Sequence, residues 1–113
     1  MENPKLEMIE TLKELKELSN KVEGRLEAEG LNITNLNKEQ LFRYNIRNII
    51  TSTEALLRNE PSERPVMRLK KEIPDTYENI SCLLETKAGK NNIKDLERLK
   101  EIAVFIEANF EKL

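Results

Sequence analysis

Four carboxylates offer chemistry by their spacing. Glu97 with Glu101, and Glu107 with Glu111, stand four residues apart, which on a helix sets both acids of a pair on one face, able to ligate a metal or share a proton. Bundle metal sites also draw a Glu-x-x-His or its equivalent from a facing helix, and the chain has no histidine. The pairs therefore read as a solvated face, and no metal is expected. Cys82 is the only cysteine; in an apolar stretch with no histidine to lower its pKa it reads as packing rather than as a nucleophile. Alone it can form neither a disulfide nor a Cys/His zinc site. Gly24, Gly30 and Gly89 are too far apart to make a phosphate-cradling loop. Neither catalytic residues nor a cofactor are expected, and the chain reads as a non-enzyme.

The cations are distributed unevenly. Residues 1–40 and residues 72–113 each carry six Lys/Arg against nine Asp/Glu, a balance of −3 at either end. Residues 41–71 hold Arg43, Arg47, Arg58, Arg64, Arg68, Lys70 and Lys71 against Glu54, Glu60 and Glu63, a balance of +4. At about 100° per residue, Arg43, Arg47, Thr51, Glu54 and Arg58 fall within roughly a quarter turn on one helical flank, with Tyr44 beside them and away from the core. Guanidinium forks match phosphate oxygens and a phenol ring can stack on an unpaired base, so this flank suits a nucleic-acid backbone. Lys87 and Lys90, around Ala88-Gly89, either meet a phosphate or favour the negative end of the preceding helix. The competing reading is that the basic middle pairs with the acidic segments on both sides of it.

Helices must position these groups. Asn3 and Pro4 form a helix entrance, and Leu6, Ile9, Leu12, Leu15, Leu18, Val22 and Leu26 recur every three or four residues until Gly30 stops the run. Residues 31–36 lack helical spacing. Asn37 with Gln40 resembles a capping box opening a second helix to about Asn59, whose core positions are Phe42, Ile46, Ile49, Ile50, Thr53, Leu56 and Leu57. Pro61 and Pro65 end it, and a short third helix begins after Ser62 with Val66, Met67, Leu69 and Ile73 on its apolar side. Pro74 disfavours helical geometry at Ile73, so the segment either stops there, which is the preferred reading, or continues kinked. Asp75 with Glu78 then opens a further helix carrying Tyr77, Ile80, Leu83 and Leu84 inward and ending at Ala88-Gly89. Asn91 and Asn92 restart the chain for a last helix with Ile93, Leu96, Leu99, Ala103, Ile106, Phe110 and Leu113 inward.

Neither long apolar/polar alternation nor an Asn-Gly or Asp-Gly turn occurs, so the fold class is all-α: an antiparallel bundle of four to five helices forming one domain over residues 1–113. Apolar runs are short and Met1 is followed by Glu2, Asn3 and Pro4, which predicts neither a membrane span nor a signal peptide, and a cytoplasmic location.

Three segments resemble the small helical subunit of type III-A CRISPR effector complexes. Asn45-Ile46-Arg47-Asn48-Ile49-Ile50-Thr51-Ser52-Thr53 is similar to that family's Ile-Arg segment opening an apolar helix, Ala88-Gly89-Lys90 to its Ala-Gly-basic step, and Phe105-Ile106-Glu107-Ala108 to its closing helix. Together they cover well under half of the chain. The family's Thr-Thr-x-Gln lead-in is replaced here by Leu41-Phe42-Arg43-Tyr44, and Pro74 interrupts a helix the family keeps whole. The resemblance implies a non-catalytic subunit of a CRISPR-type effector complex in antiviral defence, stacking with copies of itself along the guide-target duplex beside other subunits. It carries over Arg47 and Lys90 as backbone contacts, while Arg43, Arg58 and Lys87 come from the charge argument. The alternative is a helical protein-protein interaction module, such as an immunity protein, antitoxin or adaptor, with an apolar stretch of the first helix left uncovered for its partner.

Overall fold

The computed structural model describes residues 4–31 and 38–113. Five helices follow one another: α1 (Pro4–Ala28), α2 (Lys38–Leu57), α3 (Glu63–Leu84), the short α4 (Lys87–Asn91) and α5 (Ile93–Asn109), with a closing 3-10 turn at Phe110–Lys112. No strand occurs among the described residues. The caps expected at Asn3 and Asn37, and residues 32–36, lie outside them.

The four long helices form an up-down-up-down ring, because α1 packs on α2, α2 on α3, α3 on α5 and α5 back on α1. Long-range side-chain pairs fix the antiparallel sense: Lys16 Nζ meets Glu54 across α1–α2 at 3.2 Å, and Arg98 meets Glu14 across α5–α1 at 2.7 Å. The core is the sum of the inward stripes, with Met8, Leu15, Leu26, Phe42, Ile46, Ile49, Leu69, Ile80, Leu83, Leu96 and Leu99 all essentially removed from water. The α2–α3 pair packs most extensively of all the helix pairs among the described residues.

Helix ends follow local chemistry. Gly30, at φ 88°, ends α1 in a Schellman arrangement: its N–H donates to the Glu27 carbonyl and the Leu31 N–H reaches back to Leu26. Asn59, at φ 59°, does the same for α2, with Asn59 N–H on the Leu56 carbonyl and Glu60 N–H on that of Ala55. Asparagine tolerates the left-handed region better than other non-glycine residues.

The expected stop at Ile73 is not found. α3 runs unbroken through Pro74, and Asp75, expected as a cap, lies inside it. Leu69, Ile73, Thr76, Ile80 and Leu83 step by four and three on one buried side, so packing holds the helix on both sides of the proline. Pro74 is exposed and so is Lys70, whose carbonyl loses its intrahelical donor on the side open to water, where the loss costs least. The helix expected to end at Ala88-Gly89 instead ends at Leu84, and Thr86 caps a new turn: its hydroxyl donates to the Leu83 carbonyl at 2.6 Å and accepts the Gly89 N–H at 2.9 Å. Glu29, at the end of α1, accepts from both Asn91 and Asn92 side-chain amides at 2.7 Å, which ties α1 to the α4–α5 junction.

Four expected core residues face outward: Leu6 is 55% exposed, Ile9 42%, Met67 66% and Ile93 45%, while Met8 takes the core position on α1. No helix among the described residues is long and apolar enough to cross a membrane.

Candidate functional site

The expectation that Arg43, Arg47 and Arg58 stand unneutralised holds only for Arg47. The Arg43 Nε donates to the buried Glu23 at 2.9 Å and its terminal nitrogen to Glu27 at 2.8 Å, because α1 and α2 run antiparallel and bring the acidic end of α1 against the start of α2. Arg58 folds onto Glu60, two residues on, at 2.7 Å. Arg47 is exposed, and no carboxylate among the described residues pairs with it. Lys87 and Lys90 are likewise exposed and without an ion pair among the described residues, but they sit on α4, which packs on α3, α1 and α5.

The continuity of α3 creates a cluster that the sequence reading counted but did not assemble. Arg64, Arg68 and Lys71 lie at i, i+4 and i+7, on one exposed stripe facing the α2 side of the ring. None has a carboxylate partner among the described residues, whereas Lys70, pointing away, reaches Glu111 at 3.7 Å. Arg64 and Arg68 line a cleft of about 340 Å³ with Thr51, Ser52, Ala55 and Pro65. Thr51 is occupied, donating to the Arg47 carbonyl at 2.9 Å. Ser52 is buried, and its hydroxyl makes no hydrogen bond among the described residues. Two guanidinium groups beside an unused hydroxyl can bind a phosphate-like oxyanion.

Further along the same groove the charge reverses. Asp75 and Glu78 continue the α3 stripe, and with Tyr44, Asn45, Lys71, Glu72 and Asn79 they line a second cleft of about 330 Å³ under Leu41. Tyr44 is 58% exposed. Glu72 and Asn79 are each only 4% exposed, and the Glu72 Oε2 and Asn79 Nδ2 atoms are sealed from solvent and have no hydrogen-bond partner among the described residues. The other Glu72 oxygen accepts from the Asn48 amide at 3.3 Å.

Burial pushes the Glu72 carboxyl above its ordinary range, helped by Asp75 and opposed by the Asn48 hydrogen bond and the Lys71 and Arg68 charges. The native chain therefore holds this proton more tightly than the unfolded chain. Its contribution to stability is complete below the ordinary carboxyl pKa and is lost as pH rises through the raised folded value. Glu72→Gln keeps an acceptor for Asn48 and removes a buried charge, so it should raise stability at pH 7 by about 1 kcal/mol and flatten the decline that sets in as pH rises above the ordinary carboxyl range. Denaturant titrations at several pH values check this.

Several acids of α1 and α5 are engaged away from this face. Glu14 takes both nitrogens of a bidentate Arg98 fork at 2.7 Å, which holds its carboxyl below the usual range, and Glu101 accepts from the same arginine at 3.0 Å. Glu107 accepts the Tyr77 hydroxyl at 3.3 Å; burial first, and then that carboxylate, pushes the Tyr77 pKa up to about 12. Of the four carboxylates at i, i+4 spacing, Glu101 thus meets Arg98, Glu107 meets Tyr77 and Glu111, in the closing turn, meets Lys70, while Glu97 has no partner among the described residues, and no group of three among the described residues could hold a metal. Cys82 is half-buried and free. Comparison with family models, curated proteins and solved structures returns no match for this chain.

Proposed function

We propose that this chain is a non-catalytic RNA-binding subunit that holds the phosphate backbone along the α2–α3 face, within an effector assembly of the CRISPR type to which its sequence bears resemblance. One observation carries the reading: Arg47, Arg64, Arg68 and Lys71 are exposed on adjoining faces of α2 and α3 without a carboxylate partner among the described residues, although the chain has more acids than bases. Glu14, Glu23 and Glu27 of α1 and Asp95 of α5 are taken by Arg98, Arg43 and Arg25, and none of them reaches these four cations, which remain available to a polyanion. Arg47 is where the family resemblance and the charge geometry coincide. Contacts of this kind fix a backbone without reading sequence.

Binding of a 20-nucleotide single-stranded RNA, followed by fluorescence anisotropy, tests the reading. Four phosphate contacts predict a log–log salt slope of about −3, hence an affinity loss of roughly 50-fold between 50 and 200 mM salt. Absence of binding at 50 mM salt would sink it.

The rival, a protein-interaction module, draws on Leu6 and Ile9, exposed one turn apart near the start of α1. Under that reading gel filtration shows no shift with RNA, and Leu6→Asp/Ile9→Asp removes the partner while leaving the bundle folded.

A further inference from the structure

The cations of the α2–α3 face stop at the start of α3. Arg47, Lys71 and Arg68 lead to Arg64, and the next hollow beyond it is lined by Glu60, Pro61 and Glu63. Glu60 is held by Arg58, but Glu63 has no cation partner among the described residues. A strand held by its phosphates along this track meets a carboxylate if it continues past Arg64, so the last favourable place for a phosphate is the cleft that Arg64 and Arg68 share with Ser52. We propose that this cleft holds the terminal phosphomonoester of the bound strand, with the Ser52 hydroxyl donating to it. The inference rests on the RNA-binding reading above and adds to it a site for the strand's end, which backbone contacts alone do not require.

Ser52 makes the cleft more than a surface contact. The hydroxyls of Thr51, Thr53, Thr76 and Ser81 each donate to the carbonyl four residues back, at 2.8–3.0 Å. Ser52 makes no such bond, although it is only 4% exposed. Its oxygen is not among the sealed, unpartnered atoms, which are Glu72 Oε2 and Asn79 Nδ2, and the residue lines the cleft, so its proton can reach an occupant there. A buried hydroxyl without a partner is costly, and a ligand oxygen removes that cost.

These donors match a monoester better than a diester. Within the strand each phosphate carries one negative charge and two free oxygens, and its two ester bonds must lead chain out of the cleft on both sides. A terminal phosphate carries close to two charges at neutral pH and three free oxygens on a single ester bond. Two guanidinium forks and one hydroxyl offer a partner to each oxygen, and two positive charges meet two negative ones. The N-terminal end of α3, where Ser62 makes no side-chain cap, adds the positive end of its dipole.

The test compares three internally labelled strands by fluorescence anisotropy: decauridylate with a 5′-phosphate, decauridylate with a 3′-phosphate, and hydroxyl-ended undecauridylate, all with the same number of phosphates. At least one end-phosphorylated strand should bind about tenfold tighter than undecauridylate, the worth of one further charged hydrogen bond, and the better of the two identifies the end that is held. Ser52→Ala should cut that gain to about threefold or less, with thermal melts verifying that the variant is folded. In the unaltered chain, inorganic phosphate should shift the backbone amide resonances of Ser52, Arg64 and Arg68. Equal binding of all three strands by the unaltered chain overturns the end site while leaving backbone binding standing. A gain that is the same for both ends and survives Ser52→Ala reports charge alone and overturns it too. Amide shifts with inorganic phosphate but no binding of any strand at 50 mM salt leave the cleft to a free phosphate, and overturn the RNA reading and this inference together.

Discussion

Gly89→Ala should cost about 3 kcal/mol or more of folding free energy and lower the melting temperature by roughly 10 °C. A Cβ built at Gly89 runs into the Leu83 carbonyl carbon and oxygen and comes within 3.0 Å of the Thr86 hydroxyl. That carbonyl already accepts the Thr86 N–H and the Thr86 hydroxyl, and the same hydroxyl caps α4 by accepting the Gly89 N–H. No flexible side chain can move aside, because the obstacle is backbone. Relief requires α4 to separate from the end of α3, which breaks the cap, lifts the buried Ala88 and strains the Asn92 link to Glu29. Gly24→Ala is the internal contrast. It sits mid-helix on the exposed side of α1 with nothing within 4 Å of a new Cβ, so it should gain about 0.5–1 kcal/mol from helix propensity. Paired thermal melts decide the matter: if Gly89→Ala melts with the unaltered chain, the close approach does not exist.

How far the sequence carries depends on which physics decides each feature. Helical periodicity is a local property, and the stripes through Leu12–Leu26, Phe42–Leu56 and Leu96–Phe110 are buried as their spacing predicts. Gly30 was legible as a stop because only the chain's own dihedral is at issue. Pro74 is not legible in this way, because its local cost is outweighed by the buried residues of α3 that span it, Leu69 to Leu83. That effect concealed the site. With a break at Ile73, Arg64, Arg68 and Lys71 lie on a short helix and Asp75 and Glu78 on another; with one helix, all five share a stripe and Glu72 and Asn79 share a cleft. Arg43 fails for the complementary reason. A helical wheel shows that it is on the flank of α2, but only the antiparallel docking of α1 brings Glu23 and Glu27 against it. The role of Gly89 was equally non-local: Ala-Gly read as a helix end, whereas the glycine is required where α4 touches α3.

Reversing Arg47 and Arg64 together, as Arg47→Glu/Arg64→Glu, should lower RNA affinity by about 100-fold at 50 mM salt and bring the salt slope near zero. Four phosphate-facing cations become two cations and two anions, so the strand has almost no net counterion release to gain. These two positions are chosen because both are exposed and neither is among the charges bearing on buried Glu72, whereas reversing Arg68 or Lys71 would remove an attraction that offsets its burial. Helicity and melting temperature should stay close to those of the unaltered chain. Arg43→Gln should behave in the opposite way. It leaves the buried Glu23 carboxylate without its partner, so stability falls by about 1–3 kcal/mol while the RNA affinity of the folded protein changes little. Lys87→Glu/Lys90→Glu tests the α4 lysines, and a loss as large as that of the Arg47/Arg64 pair would shift the strand off the α2–α3 groove and onto the end of the bundle. Anisotropy titrations over a salt series, run beside melts on all three variants, separate a lost contact from a lost fold.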